Sequence, residues 1–324
     1  MSGPGKLIIS LDFELYWGVR DRVSLSACAD RLLGARAAIP RILEIFEQFQ
    51  LHATWAIVGF LFAKDGKDNS SSHPQILPQY VDHNLSPYRD LTSTGSDETT
   101  DSYHFAPTLI ELIRATPNQE IASHTYSHYY CLEEGQTLDA FRADTQAMVD
   151  VARQHGLHFK AIAFPRNQIS GPHLDVCREH GIETFRGTPR HWPYNSVAFL
   201  DQSLLRRGTR LVDSYVPLLG YHTYSGSTVE HGIHNMPASS YFRPYYHRLR
   251  LLEWLKLKRI RDTMLHAAQR GEVCHIWWHP EDFGRNTDKN IGQLRALCQF
   301  FQQLHQLYGM SSRTMTEATQ SFDE

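Results

Sequence analysis

Two carboxylates, Asp12 and Glu14, lie at the end of the first apolar segment of the chain, KLIISLDFEL. If this segment is a strand, side chains two positions apart leave the same face, so both carboxylates point into one space. A strand that runs out into solvent also carries acids. Further reactive groups at other strand ends therefore decide whether this pair belongs to a site.

A pair of histidines follows a later strand-like segment. EIASH runs into SHTYSH, which places His124 and His128 in an H-x-x-x-H spacing. This pair closes on one metal ion if the segment makes a helical turn, whereas two unrelated surface histidines are the simpler interpretation. With a carboxylate such as Glu14, two imidazoles form an open three-ligand site that leaves a coordination position for water.

Arg166 and His279 end two further strand-like segments. Arg166 lies in AFPRNQ, and its guanidinium would hold an unliganded carboxylate ionised and oriented, unless it forms only a surface ion pair. His279 lies in IWWHPEDFG after two tryptophans, where it is either a satisfied core residue or a general acid.

Strand-like and helix-like segments alternate along the chain. Strands are predicted at KLIISLDF, 52–62, 120–124, FKAIAFP, ETFRG, RLVDSYV and 272–279, and a short strand is expected in the C-terminal tail. Helices are predicted at 40–50, beginning at Pro40, and at 107–116, 137–156, GPHLDVCREHGI, 249–271 and 290–309. The alternation predicts an α/β fold of parallel units, and about seven or eight βα repeats without a glycine-rich phosphate loop favour a barrel over an open sheet. The carboxyl ends of the strands would then bring the reactive groups to one rim.

The composition sets limits on the kind of protein. The chain has 324 residues, a formal net charge of -3 and a mean hydropathy of -0.42, without the basic excess that nucleic-acid binding favours. There is neither a secretory start nor an apolar run of membrane-spanning length, so a cytoplasmic enzyme with no membrane span is expected. The five scattered cysteines are expected to be reduced thiols. We expect one domain over 1–324, with a polar insertion or loop at about 64–105.

The order of these motifs resembles the polysaccharide deacetylase family, also called the NodB-homology or carbohydrate esterase 4 superfamily. The resemblance lies in D-x-E at the first strand end, H-x-x-x-H at the third, an arginine beside a proline at the fourth and a histidine after a late strand. IPRILEIFEQFQLHATWAIVGFLF is also similar to the family's first helix and second strand. The match covers roughly residues 6–283.

The resemblance implies a distorted (β/α) barrel and a divalent metal, commonly zinc. On the family's pattern the metal ligands are Glu14, His124 and His128, the general base is Asp12, the acid that protonates the leaving amine is His279, and the arginine that orients the base is Arg166. Many members have adjacent aspartates in the first motif, and Arg166 follows Pro165 instead of preceding a proline. The acid that holds His279 is either Asp213 or Asp282.

The expected activity is metal-dependent removal of an N-acyl group, acetyl or formyl, from an amino sugar. The sugar would be free, nucleotide-linked or lipid-linked, as a precursor in cell-surface polysaccharide or lipopolysaccharide biosynthesis. The aromatic residues expected to offer flat faces to a sugar ring, or to pack in the core, are Trp17, Trp192, Tyr194, Trp277 and Trp278.

Three alternatives remain open at the level of the sequence. The first is an allantoinase-like amide hydrolase of purine breakdown on the same fold. The second is an iron oxygenase with two histidines and one carboxylate, although such sites usually lie on all-β scaffolds. The third is a binding protein that keeps a metal as a structural element, which would need neither Arg166 nor His279 near the metal.

Overall fold

A mostly parallel sheet organises the chain in the computed structural model, which describes residues 3–66 and 72–320. Its strands over these residues are β1 (Lys6–Phe13), β2 (Ala53–Ile57), β3 (Gln119–Ser123), β4 (Ala161–Ile162), β5 (Thr184–Phe185), β6 (Thr228–Glu230), β7 (Ile233–Asn235), β8 (Ser240–Tyr241), β9 (Val273–Trp278) and β10 (Ser311–Arg313). Their order is β6-β7-β5-β4-β3-β2-β1-β9-β8, and β10 pairs with the first residues of β1. Each of these pairings is parallel except that of β6 with β7.

One bent segment joins the two ends of this sheet. β7 pairs with β5 and β8 pairs with β9, and both lie in the continuous stretch 233–241. Between them, the Met236 N–H donates to the Phe185 carbonyl (2.9 Å) and the Ser239 N–H donates to the His275 carbonyl (2.7 Å). The sheet therefore curls into a distorted barrel, which confirms the predicted fold class.

Most of the helices pack on the outer side of the sheet. Over the described residues they are Leu25–Gln48, Pro107–Ala115, Leu138–Gln154, Gly171–Glu179, Leu204–Asp213, Glu253–Arg270, Thr287–Tyr308 and Met315–Gln320. Every residue of β1 after Lys6 is buried, as expected for a parallel strand that is covered on both faces. Because both faces of β1 are buried, its sequence is a long apolar run, and this run is what predicted the strand.

A cluster of buried apolar side chains fills the lower part of the barrel interior. They come from several strands and from the last helix, and they are Ile8, Ala122, Ala161, Met236, Val273, Met315 and Ala318. Ile8 points to the same side of β1 as Ser10 and Asp12, two and four positions further on. The apolar bottom therefore gives way to polar groups towards the carboxyl ends of the strands.

Two predicted elements are wrong. The first helix does not begin at Pro40 but runs from Leu25 to Gln48 with this proline inside, because an apolar face that includes Leu32, Ala35 and Ile39 already packs on the core. The segment RLVDSYV is not a strand, and its first four residues belong to the helix Leu204–Asp213. Its apolar residues do not mark a core strand, since Leu211 and Val212 are exposed.

The polar region predicted as an insertion or mobile loop contains three single turns of 3-10 helix, His83–Leu85, Pro87–Arg89 and Leu91–Ser93. It is anchored by Tyr80, which is buried and accepts a hydrogen bond from the Tyr130 N–H (2.8 Å). Part of the prediction, residues 67–71, lies outside the described residues. All five cysteines are buried and unpaired. Across residues 3–66 and 72–320, none of the helices has both the length and the apolar character needed to cross a membrane.

Candidate active site

Glu14, His124 and His128 converge at the carboxyl ends of β1 and β3. Glu14 Oε1 lies 2.8 Å from His124 Nε2 and 3.1 Å from His128 Nε2, and all three side chains are buried. β1 and β3 are both neighbours of β2 in the sheet, so their ends face the same rim. The barrel thus brings together residues that are more than 100 positions apart in the chain.

The loop that carries the two histidines is not the helical turn that the H-x-x-x-H spacing suggested. Thr125 and His128 have left-handed backbone conformations, with φ of 61° and 57°, which cost free energy for residues other than glycine. Asp144, on the helix Leu138–Gln154, accepts hydrogen bonds from the N–H groups of Tyr126 (2.8 Å) and Ser127 (3.0 Å). These bonds hold the strained loop in place, so the imidazoles reach Glu14 without a helix.

Two features position the Glu14 carboxylate. Oε1 of Glu281 accepts hydrogen bonds from the N–H groups of Glu14 and Leu15, which fixes the backbone where β1 turns into the 3-10 helix Leu15–Gly18. Gly18 leaves room for the side chain, because a Cβ atom at this position would lie 1.6 Å from Glu14 Oε2. Sequence reasoning missed Glu281, although it follows His279 in the same motif.

Asp12 is held by Arg186, not by the predicted Arg166. The guanidinium of Arg186 donates from Nη1 to Oδ1 and from Nη2 to Oδ2 of Asp12, both at 2.6 Å, and both side chains are fully or almost fully buried. Arg186 is the first residue after β5, in the predicted strand ETFRG. Like Arg166, it lies at the end of a predicted strand, so the sequence contained the same signal for a place at the rim.

Arg166 points elsewhere. Its guanidinium pairs with Asp21 and lies over the ring of Tyr130, 4.1 Å from the centroid. Arg166 and Asn167 both have left-handed φ values, 54° and 52°, so the chain turns sharply immediately after Pro165. This turn directs the arginine away from Asp12, which corrects the predicted contact.

His279 lies where the sequence placed it, beside both carboxylates. Its Nε2 is 3.6 Å from Glu14 Oε1 and 3.9 Å from Asp12 Oδ2, and its Nδ1 is 3.5 Å from Asp282 Oδ2. Of the two acids considered for orienting it, Asp282 makes this contact. Asp213 instead accepts from Tyr194 and pairs with His222.

The charges of these groups reinforce one another. Burial raises the pKa of Asp12, but Arg186 together with the imidazoles of His124 and His279 outweighs this effect and holds the pKa below its usual value. Burial likewise opposes ionisation of Glu14, but the nearby imidazoles lower its pKa well below the usual range. For His279 burial lowers the pKa, and the carboxylates, Glu14 foremost, raise it to about 10. The site favours two carboxylates and one imidazolium.

Two overlapping groups of side chains have a geometry that suits a metal ion: Glu14 with His124 and His128, and Glu14 with Asp12 and His279. The first is the better fit, because both oxygens of Asp12 are already engaged by Arg186. Two imidazoles and a carboxylate are a common ligand set for zinc and other divalent metals. His128 Nδ1 lies 3.1 Å from the Tyr130 hydroxyl, a contact that orients the ring with Nε2 towards Glu14.

The predicted aromatic residues separate into two groups. Trp17 and Trp278 are buried in the core, whereas Trp192 is about half exposed (49%). Trp277 lines the cavity of about 270 Å³ that contains Asp12, Glu14 and His279, and also an adjoining cavity of about 260 Å³. Tyr194 lines the adjoining cavity. Trp277 and Tyr194 are thus the two that face a space large enough for a ligand.

Part of the chain matches the model of a known family. The family model described as polysaccharide deacetylase matches residues 30–185. These residues, just under half of the chain, are similar to the polysaccharide deacetylase family. The matched region contains His124 and His128 but neither the D-x-E motif, Arg186 nor His279, so the assembly of the complete site rests on the geometry above. No curated protein sequence matches the chain.

Solved structures share the fold of this chain at low sequence identity. One, from Mycobacterium smegmatis and named as a polysaccharide deacetylase, is 14% identical, with a TM-score of 0.61 over 98% of this chain and 90% of its own. Another so named, from Pseudomonas aeruginosa PAO1, is 12% identical, with a TM-score of 0.56 over 98% and 90%. A structure named Puue allantoinase is 13% identical, with a TM-score of 0.54 over 98% and 89%. At these identities the likeness establishes the fold and not the substrate.

Proposed function

We propose that this protein is a metal-dependent hydrolase that removes an N-acyl group, acetyl or formyl, from an amino sugar used as a precursor of a cell-surface polysaccharide or lipopolysaccharide. The match of residues 30–185 to the polysaccharide deacetylase family supports a hydrolytic deacetylase. The observation that carries the proposal is that Asp12 and His279 flank the group formed by Glu14, His124 and His128. A carboxylate and an imidazolium beside one ligand set are the proton acceptor and proton donor that amide hydrolysis needs.

The residues that would hold the metal are Glu14, His124 and His128. A divalent cation there, commonly zinc in this family, would supply Lewis-acid chemistry by polarising the acyl carbonyl and making water more acidic. Burial of the three side chains limits competition from bulk solvent for the ligand atoms.

Asp12 acts as the general base. Arg186 keeps it ionised and fixes both of its oxygens, so the carboxylate accepts a proton from the attacking water without reorienting. The water oxygen forms a bond to the acyl carbon as this proton leaves.

His279 acts as the general acid. Its contacts with Glu14 and Asp282 favour the protonated ring, and Nε2 faces the same space as Asp12. As the bond between the acyl carbon and nitrogen breaks, Nε2 donates its proton to the nitrogen, which departs as an amine. Without this proton the amine is a poor leaving group.

A purely structural metal site explains the geometry less well. It has no need of a buried arginine–carboxylate pair or of an ionisable histidine within 4 Å of a metal ligand, and both are present. Their presence supports catalysis over a structural role.

The test is release of acetate or formate from a panel of N-acyl amino sugars, free, nucleotide-linked and lipid-linked, by the zinc-loaded protein. We expect release from at least one class, and loss of release when the metal is removed by a chelator and when Asp12 is replaced by asparagine. Full turnover by metal-free protein, or by Asp12→Asn, would contradict the proposed chemistry.

A further inference from the structure

A cavity of about 650 Å³ beside the active site has a strongly basic wall. Five of its lining residues are arginines, Arg22, Arg166, Arg207, Arg210 and Arg243, and no lining residue is acidic. The ring of Phe199 lies among them, with the guanidinium carbon of Arg22 3.9 Å from its centroid. Such a concentration of like charge is costly unless a ligand or a counter-charge neutralises it.

The counter-charges within the protein are few. Arg22 and Arg166 share one carboxylate, Asp21. None of the ion pairs among the described residues involves the other three arginines of the wall. The Arg210 guanidinium donates to Gln202 Oε1 (2.6 Å), and Arg243 Nε donates to Ser214 Oγ (2.7 Å), so both have neutral partners that hold them in place.

This cavity is continuous with the active site. Arg22 and Arg166 line both it and the cavity that contains Asp12, Glu14 and His279. Arg166 Nη1 is buried without a hydrogen-bond partner. Arg210 and Arg243 also line the 260 Å³ cavity that Trp277 shares with the active site. A ligand in the active site thus has two routes to the same guanidinium groups.

We propose that the arginine cavity binds a phosphate or diphosphate group of the substrate, so that the acylated amino sugar is a glycosyl phosphate or diphosphate and not a neutral polymer. This inference rests on the proposed hydrolysis for its sugar. Guanidinium groups match phosphate oxygens with paired, charge-assisted hydrogen bonds. A diphosphate that links a sugar to its carrier has two negative charges, which offset most of the charge of the three wall arginines that lack a carboxylate partner.

The experiment measures binding by calorimetry, so its result does not depend on turnover. The probes are inorganic diphosphate, uridine diphosphate, farnesyl diphosphate and a neutral N-acetylglucosamine oligomer. We expect the three diphosphates to bind and Arg210→Gln and Arg243→Gln each to weaken their binding by about 10-fold or more, since a hydrogen bond between charged groups is lost.

Arg206→Gln is the matched control. Arg206 is on the same helix as Arg210 and carries the same charge, but it donates to the carbonyls of Trp192 and Asn195 and does not line the cavity. We expect it to change diphosphate binding by less than about 2-fold, given the weak effect of screened surface charges. Thermal melting of each variant checks that it is folded.

The outcomes separate this inference from the proposed hydrolysis. Absence of diphosphate binding, or equal weakening by Arg206→Gln and Arg210→Gln, would overturn the arginine cavity as a phosphate site while leaving acyl release to be judged by its own assay. Diphosphate binding that depends on Arg210 and Arg243 supports the site even if no tested sugar is deacylated. Tighter binding of uridine diphosphate than of farnesyl diphosphate identifies a nucleotide carrier, and the reverse order identifies a lipid carrier; either supports the proposal.

Discussion

Arg186 binds Asp12 through two parallel hydrogen bonds of 2.6 Å inside the barrel, where neither side chain is accessible to more than a trace of solvent. The two residues are 174 positions apart and lie at the ends of β1 and β5. The pair keeps a carboxylate ionised at a depth where burial alone would favour its neutral form.

Replacement of Arg186 tests this pairing. Arg186→Met leaves a buried carboxylate without its partner, so we expect the free energy of unfolding to fall by about 3 to 5 kcal/mol. Arg186→Lys keeps the charge but loses the paired geometry, and we expect kcat to fall by about 10- to 100-fold with a smaller change in stability. Chemical denaturation and acyl-release kinetics give the two values. The same losses from Arg166→Lys, but not from Arg186→Lys, would contradict this assignment.

Asp12→Asn and His124→Ala are expected to differ in metal content. Asp12 is not in the preferred ligand set, so its asparagine variant should retain the metal while kcat falls by about 100- to 10,000-fold through loss of the general base. His124→Ala removes a ligand and should lose both metal and turnover. Elemental analysis of the dialysed proteins, beside the acyl-release assay, makes the distinction. A metal-free Asp12→Asn protein would favour the overlapping group that includes Asp12 and His279.

Much of this site was predictable because a parallel barrel brings strand ends to one rim. Asp12, Glu14, His124 and His279 lie at the ends of strand-like segments, so their place at the rim could be inferred from the pattern of the chain. The contacts that depend on local backbone geometry could not be inferred from the sequence. The left-handed turn after Pro165 decides which arginine reaches Asp12, and linear spacing does not reveal it.

The fold was predictable for a similar reason, and its errors have physical causes. The continuous apolar run of β1 and the amphipathic helix Leu138–Gln154 matched their predictions closely. The helix Leu204–Asp213 exposes several apolar side chains, so the usual link between apolar sequence and core position fails there. β4 and β5 have only two residues each, and their pairing depends on neighbours in the sheet.

Gly18→Ala is expected to weaken metal binding without unfolding the protein. The added Cβ would lie 1.6 Å from Glu14 Oε2, so the carboxylate has to move away from the two imidazoles. Changes at positions that orient a ligand typically cost about 10- to 100-fold in metal affinity, and we expect a loss in this range. Zinc affinity measured by competition with a chelating dye tests it, and thermal melting without metal serves as the folding control. Unchanged zinc affinity would exclude Glu14 as a ligand in this orientation.

Asp144 is expected to make the stability of the protein depend on pH. Burial raises the pKa of Asp144 to about 6, although hydrogen bonds from Ser127 and the N–H of Tyr126 oppose this shift. The folded protein therefore binds more protons at this residue than the unfolded chain between about pH 4 and pH 6, so the contribution of Asp144 to stability falls as the pH rises through this window. A shift of about two pH units corresponds to about 2 to 3 kcal/mol. The asparagine of Asp144→Asn cannot titrate. Chemical denaturation of both proteins at pH 4 and pH 7 tests the expectation. Between these pH values the free energy of unfolding of the wild-type protein should fall by about 2 to 3 kcal/mol more than that of the variant. The same change in both proteins would mean that Asp144 holds the histidine loop as an ordinary ionised carboxylate.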